Sequence, residues 1–502
     1  MDASYPLLCA CERFGDRPAI VDRNGTVSFR ELERRIAGLS AGLRRAGHGG
    51  RTVGMLLDNR SEVVEVYMAL ARAGCIAVPI NTRLTADEQA FVVDDAGVEL
   101  LVADDQQLDR ARELAAGADL DVLPLAGGSG SSIHALRETA PDPVPSDRSG
   151  RDDDVATIIY TSGTSGFPKG VARTHRANVW NVVNSALGSP RRPGEVEVFN
   201  LPTFGIGFFH FLVPALLGGA TVVLDGAFDP ARAWELLERH RATRTFLAPT
   251  MIAAMLAVDG HEHRDLTALE LIYTAYAFPE RVRRAALERF GSRFAFMYGL
   301  TEAQLTCSAP EHFESDPTDV GTTMGVSRVA VLDPAGRPLP DGEVGEIGFA
   351  GPSVMAHYHG RPDATAEAVR AGWVLTGDLG RRDEDGRLHF VGRSKEMIKT
   401  GGFSVDPVEV ENAILALDGV VEAAVVGVED EYWGEAIVAF VVGDVRPEAV
   451  TGVCRERLAR FKVPKRVVGV DALPKNATGK IERGRLRAAV RSAGDEPLTP
   501  VA

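Results

Sequence analysis

The sequence predicts a large N-terminal domain of α/β layers with mostly parallel sheets, followed by a small C-terminal α+β domain, on three observations. The chain has 502 residues, well past the size at which a single hydrophobic core keeps growing, so at least two packed units are required. Amphipathic helix patterns alternate with short aliphatic or β-branched runs over residues 26–101, and again over 269–298, which implies parallel strands joined by helical crossovers. Near residue 393 the chain turns basic and glycine-containing, and two β-like runs and a helix lie beyond it, enough for a separate unit of about 100 residues.

Taken in order, Ser28 is placed to cap a helix opening at Phe29, and residues 51–57 read as a buried strand. Residues 126–154 are rich in Gly, Ser, Pro and Asp without a periodic apolar face, which predicts a surface loop or, alternatively, an interdomain linker. A strand is expected at 155–160, then a Gly, Ser and Thr-rich loop, then a helix at 175–187. A second strand, helix and strand fall at 269–274, 279–290 and 293–298. The C-terminal unit has strands at 423–428 and 436–442 and a helix at 447–460.

Composition narrows the class. Apolar residues make up 45% and charged residues 25%, which excludes a disordered or fibrous chain. No apolar run approaches the roughly 18 to 20 residues that cross a bilayer. The start, Met1-Asp2-Ala3-Ser4, has no basic segment, so a cytoplasmic chain without a secretory signal is expected. The 55 Lys and Arg against 70 Asp and Glu give a net charge of −15, which argues against nucleic acid or an anionic membrane as partner. Five scattered cysteines predict reduced thiols rather than a disulfide framework or a four-ligand metal site. His261 with His263, and His357 with His359, lack further ligands at zinc spacing and are expected on the surface or in loops.

Tyr160-Thr161-Ser162-Gly163-Thr164-Ser165-Gly166-Phe167-Pro168-Lys169-Gly170 is the most informative segment. Its glycines let backbone N–H groups approach an anion, its hydroxyls donate, and Lys169 adds charge, a chemistry suited to polyphosphate. Pro168 before Lys169 departs from the P-loop NTPase pattern. Four further strings follow in order: Tyr298-Gly299-Leu300-Thr301-Glu302, Gly372-Trp373-Val374-Leu375-Thr376-Gly377-Asp378, Gly392-Arg393-Ser394-Lys395-Glu396 and Pro474-Lys475-Asn476-Ala477-Thr478-Gly479-Lys480.

With these five signatures the sequence resembles the adenylate-forming superfamily of acyl- and aryl-CoA synthetases, luciferases and peptide-synthetase adenylation domains, over nearly its whole length. The resemblance implies two domains, residues 1–394 and 395–502, the second mobile. It implies ATP with Mg²⁺, and CoA as co-substrate. Residues Thr161 to Lys169, including Ser162, Gly163, Thr164, Ser165 and Gly166, would hold the β- and γ-phosphates. Tyr298 and Gly299 would line the adenine, Thr301 would contact the α-phosphate, and Glu302 would help to hold Mg²⁺. Asp378 and Arg393 would take the ribose, Lys480 would bridge the carboxylate and α-phosphate, and Lys395 would be the hinge. Gly401 and Gly402 would line a channel for a pantetheine thiol. The acid pocket is expected at Gly205, Ile206, Tyr276, Met297 and Gly299.

Two segments depart from the family pattern. Gly205 stands where many relatives carry an aromatic or histidine gate, and Tyr276 falls in what is usually a small-residue turn. Either change is drift with compensating packing or the mark of an unusual acid. Only 22 residues follow Lys480, too few for a carrier domain, so the expected acceptor is free CoA or a separate carrier protein. Activation of an acid such as nitrite for attack by an amine, and a noncatalytic nucleotide-binding homologue, are the competing readings; the second is disfavoured because Thr164, Lys169, Glu302, Asp378 and Lys480 are all present.

Overall fold

The computed structural model describes residues 1–118, 120–126, 132–138, 152–161, 168–275, 278, 280–394, 396–430, 432–475 and 481–493. Among these, the strands assemble into three sheets. The seven-stranded sheet runs from His357–Tyr358 through Lys169–Thr174, Val155–Thr161, Ile76–Pro79, Thr52–Leu56 and Leu100–Ala103 to Asp121–Pro124. Its last five strands are parallel, whereas Lys169–Thr174 returns antiparallel to Val155–Thr161 and carries His357–Tyr358 on its other edge.

The fourteen-stranded sheet has a parallel half and an antiparallel half. Pro18–Asp22, Thr221–Val223, Val196–Val198, Arg244–Phe246, Leu271–Thr274 and Phe294–Gly299 are parallel. Leu305–Cys307 then reverses the direction, and Asp319–Thr323, Leu388–Arg393, Trp373–Arg382, Val344–Ala350 and Arg328–Leu332 continue antiparallel. The two sheets share one core with the helices Tyr5–Phe14, Phe29–Arg45 and Ser61–Ala73, in which Tyr67 stacks on Phe208 at 4.2 Å between ring centroids. Ser28 caps the second of these helices as expected, its hydroxyl accepting from the Glu31 N–H at 3.2 Å.

Beyond residue 396, Phe403–Val405, Ile398–Thr400, Gly434–Gly443, Val420–Asp430 and Arg466–Gly469 form a third sheet. Its hydrophobic clusters, around Ile398, Val425 and Ile437 on one face and Phe440 and Leu486 on the other, draw only on residues of this C-terminal region.

Three expectations are corrected. The sheets are mixed rather than mostly parallel, because the chain between Leu305 and Arg393 folds back through short turns instead of helical crossovers. The phosphate-type loop does not lead straight into a helix: Lys169–Thr174 is a strand, hidden in the sequence because only Val171 and Ala172 among its residues are strongly apolar, although Arg173 is buried as well. The 126–154 stretch holds a helix, Ile133–Glu138, whose backbone Arg137 carbonyl packs against Gly38; six residues are too few to reveal a helical period.

Candidate active site

Thr161 and Lys169 are register partners across the antiparallel hairpin, where Thr161 Oγ1 donates to the Lys169 carbonyl at 3.5 Å. Ser162, Gly163, Thr164, Ser165 and Gly166, between them, lie outside the described residues. Both ends of the loop are thereby fixed on one pair of strands. Lys169 Nζ stands over the ring of Tyr358, 5.1 Å from its centroid. The Tyr358 hydroxyl donates to Glu302 Oε1 at 2.8 Å. Burial, and then the Glu302 charge, push this phenol above its ordinary range, so it stays protonated and donates.

Glu302 is only 9% exposed, and Arg173 beside it is fully buried. Arg173 Nη1 donates to the Thr301 carbonyl at 2.7 Å, Nη2 to the Ser353 carbonyl at 2.8 Å and Nε to Asn178 Oδ1 at 3.0 Å. Burial lowers this guanidinium to about 10, against the opposing pull of Glu302, which leaves it charged at neutral pH. Two cations, Lys169 and Arg173, thus gather around one carboxylate, an excess of positive charge where a polyphosphate is expected. A single buried carboxylate also fits Mg²⁺, which takes one or two carboxylates and completes its shell with phosphate oxygens and water. Among the described residues no group of three or more His, Cys, Asp or Glu forms a metal cage.

The same segment leads to the sugar side. Tyr298, at the end of Phe294–Gly299, donates its hydroxyl to Asp378 Oδ2 at 2.9 Å. Burial and then the Asp378 charge raise this phenol well above its ordinary range. Asp378 and Arg393 face each other on neighbouring strands, with Arg393 Nε 3.1 Å from Asp378 Oδ1. Inside the strand Trp373–Arg382, Gly377 just before Asp378 has a φ of +74°, which suits glycine. Gly299 approaches its neighbours closely: a Cβ there would lie 2.7 Å from Leu305 Cδ2.

On the acid side, Ile206 and Met297 meet in one apolar cluster with Phe211, Phe246 and Tyr273. A Cβ at Gly205 would find only the Pro202 carbonyl, at 3.8 Å, so the space beside this glycine is open. Tyr276 lies outside the described residues. Its neighbour Tyr273 is fully buried, with its hydroxyl accepting from Arg244 Nη1 at 2.9 Å.

In the C-terminal region, Gly401 and Gly402 have φ of +57° and +83°, and the Gly401 N–H donates to the Trp433 carbonyl at 2.7 Å. A Cβ on Gly401 would meet the Trp433 ring at 3.2 Å. Lys395 and Lys480 lie outside the described residues. Both flanks of Lys395 are tied: the Ser394 N–H donates to the Gly377 carbonyl at 2.8 Å, and Glu396 pairs with Arg483 at 3.4 Å.

Family models match most of the chain that carries this cationic hairpin, buried glutamate and tyrosine–aspartate–arginine cluster. Residues 9–359 match the AMP-binding enzyme model, and residues 409–480 match the AMP-binding enzyme C-terminal domain. The chain belongs to the AMP-binding enzyme family. Among curated AMP-binding enzymes, a feruloyl-CoA synthase from Amycolatopsis sp is 36% identical over 500 residues, covering 96% of this chain and 98% of that one. A 2-succinylbenzoate–CoA ligase from Geobacillus kaustophilus is 34% identical over 483 residues, covering 94% and 95%. Among solved structures, the amide bond synthetase McbA from Marinactinospora thermotolerans superposes with a TM-score of 0.87 at 28% identity, covering 97% of this chain and 99% of that one.

This AMP-binding enzyme is an adenylate-forming ligase of the acid–CoA ligase group, whose members use ATP, Mg²⁺ and CoA. Among its described residues no helix is long and apolar enough to cross a membrane. Sequence reasoning missed Arg173 and Tyr358 as parts of this site. Arg173 had at most a weak signal, an arginine straight after Val171 and Ala172 just past the loop. Tyr358 had none, since its role depends on a distant strand lying beside the hairpin.

Proposed function

We propose that this protein activates a small organic acid with ATP and passes the acyl group to CoA. The observation that carries the reading is the convergence of Lys169, Arg173 and Glu302 at one end of the Tyr298–Glu302 segment, with Asp378 and Arg393 at the other. In this reading the hairpin from Thr161 to Lys169 holds the β- and γ-phosphates and Thr301 meets the α-phosphate. Tyr298 packs against adenine, and Asp378, aligned by Tyr298 and Arg393, accepts the ribose hydroxyls. Mg²⁺, held by Glu302, neutralises charge on the phosphate oxygens when bound.

The substrate carboxylate attacks the α-phosphorus, the bond to the bridging oxygen breaks, and pyrophosphate leaves. Lys480 places its ammonium between the two anions, which otherwise repel one another. Rotation of residues 395–502 about Lys395 then brings Gly401 and Gly402 to the site. The thiolate of CoA attacks the acyl carbonyl, the thioester forms, and AMP departs with the former carboxylate oxygen. An aryl acid is the substrate class that the apolar aromatic surroundings of Ile206 and Met297 support, together with likeness to a feruloyl-CoA synthase.

Attack by an amine instead of a thiol is the second reading, favoured by likeness to an amide bond synthetase. Pyrophosphate release should be measured over aliphatic, aromatic and amino acids and nitrite, with CoA, an acyl carrier protein, simple amines or no acceptor. Aryl-CoA formation upholds the proposal. Amide or carrier-bound product moves the acceptor, and ATP binding without turnover on any acid removes the catalytic reading.

A further inference from the structure

Tyr358 touches two parts of the phosphate site at once. Its ring lies under Lys169 Nζ at 5.1 Å, and its hydroxyl donates to Glu302 Oε1 at 2.8 Å. The tyrosine is itself held firmly. It sits on the edge strand His357–Tyr358, registered against Val171. Its own N–H donates to Thr365 Oγ1 at 3.0 Å, and the next N–H, of His359, donates to the Gly170 carbonyl at 2.7 Å. Three residues further on, Arg361 pairs with Asp95 at 2.5 Å, and Asp95 also accepts the hydroxyl of Tyr160 at 2.7 Å. The segment therefore grips both strands of the hairpin, one beside Lys169 and one just before Thr161.

The two Tyr358 contacts use different parts of the side chain. A carboxylate with one oxygen held by a hydrogen bond keeps its other oxygen in a fixed direction. A lysine over an aromatic face loses part of its rotamer freedom before any ligand arrives.

We propose that Tyr358 is a positioning residue for metal-bound ATP: its hydroxyl aims the Glu302 carboxylate at the divalent cation, and its ring independently holds Lys169 for the phosphates. The inference rests on the adenylating reading above and assigns to one side chain two duties that substitutions can separate. Tyr358→Phe removes the hydroxyl and keeps the ring, whereas Tyr358→Leu removes both.

The test titrates Mn²⁺ by electron paramagnetic resonance in the presence of a nonhydrolysable ATP analogue, and separately measures binding of that analogue in EDTA. Tyr358→Phe should weaken Mn²⁺ binding about tenfold, the effect of one hydrogen bond to a charged group, and leave metal-free nucleotide binding unchanged. Tyr358→Leu should weaken both. In turnover, Tyr358→Phe should raise the Mg²⁺ concentration for half-maximal rate, with kcat recovering at saturating metal. If both variants melt at lower temperature but keep wild-type Mn²⁺ and nucleotide affinities, Tyr358 is a packing residue and the inference is overturned. If the two variants lose metal and nucleotide affinity in equal measure, the division of duties is wrong. Failure of the wild-type protein to bind the analogue at all would instead overturn the functional reading on which the inference stands.

Discussion

Glu302 is 9% exposed and hydrogen-bonded by Tyr358, and Asp378 is gripped by Tyr298 and Arg393. By contrast, Phe403, beside the Gly401-Gly402 pair on the C-terminal sheet, is 54% exposed, and both glycines adopt left-handed backbone. The first region is a set of polar groups oriented before any ligand binds, and such groups need little reorganisation as charge develops. The second presents backbone with few side chains attached, which under the proposed function would let a slender thiol chain pass. Under the proposed function, the difference implies that the chemistry common to both half-reactions would be built into residues 1–394, while what distinguishes them would sit on residues 395–502.

The sharpest way to break that comparison is Lys480→Ala. If the small domain supplies only the charge needed where carboxylate and α-phosphate meet, adenylation should fall by about 10² to 10³, the range for losing one preorganised electrostatic group. Thioester formation from a supplied acyl adenylate should be far less affected. Pyrophosphate release and thioester yield, measured separately, decide the matter, and equal losses in both would take Lys480 out of the first half-reaction.

Lys395→Pro tests the movement itself. Proline fixes φ and restricts the residue before it, here Ser394, whose N–H is already tied to the Gly377 carbonyl. Adenylate should accumulate at close to the wild-type rate while transfer to CoA is lost. Rapid-quench product analysis gives both numbers, and normal thioester turnover in this variant would move the hinge elsewhere.

Much of this contrast was legible in sequence, for reasons that differ by residue. Lys169 stands in a string whose residue types suit an anion, whereas Glu302 and Asp378 could be singled out only through resemblance to the family, which implies a metal and a sugar as their partners. Ser28 could be read as a cap because capping is local. Arg173 and Tyr358 escaped because their roles come from long-range pairing: Arg173 reaches Thr301 across 128 positions and Tyr358 reaches Glu302 across 56. The antiparallel half of the large sheet escaped similarly, since the register of Asp378 against Arg393 depends on which strands meet. The hydrophobic period alone could not report that.

A smaller effect is expected on the acid side, where Tyr276→Gly separates specificity from nucleotide binding. A tyrosine near the reacting group displaces volume that substrate would otherwise fill. Its removal should admit bulkier acids and lower kcat/KM for the native acid by about tenfold, in line with a changed apolar contact, while the ATP affinity stays put. An unchanged ranking across the acid panel would make Tyr276 a scaffold residue and confine specificity to the open space at Gly205 and the cluster around Ile206 and Met297.

The smallest effect is expected at the join between the two regions, where Asp406 lies against Gly392: a Cβ on that glycine would come within 3.2 Å of Asp406 Cγ. Asp406 caps the helix Pro407–Leu415 by accepting from the Val408 N–H at 3.0 Å. Burial nevertheless raises its carboxyl from 3.8 to about 6; Glu409 and Glu396 push the same way, and the Val408 N–H and Arg483 oppose them. Since the folded value lies above the unfolded one, the native state holds this proton more tightly. Stability from this group is present at low pH, falls as pH rises between about 4 and 6, and is fully lost above that window. Asparagine keeps the cap and cannot ionise. Asp406→Asn should therefore melt with the wild type near pH 4 and exceed it at pH 8 by about 1 kcal/mol, well below the full shift because the group is partly exposed. Calorimetric melting of both proteins across this range checks the sign. A variant less stable than wild type at pH 8 would show that the ionised Asp406, through Arg483, holds the join together, and the contrast between a region of fixed polar groups and one of exposed backbone would then fail at this point.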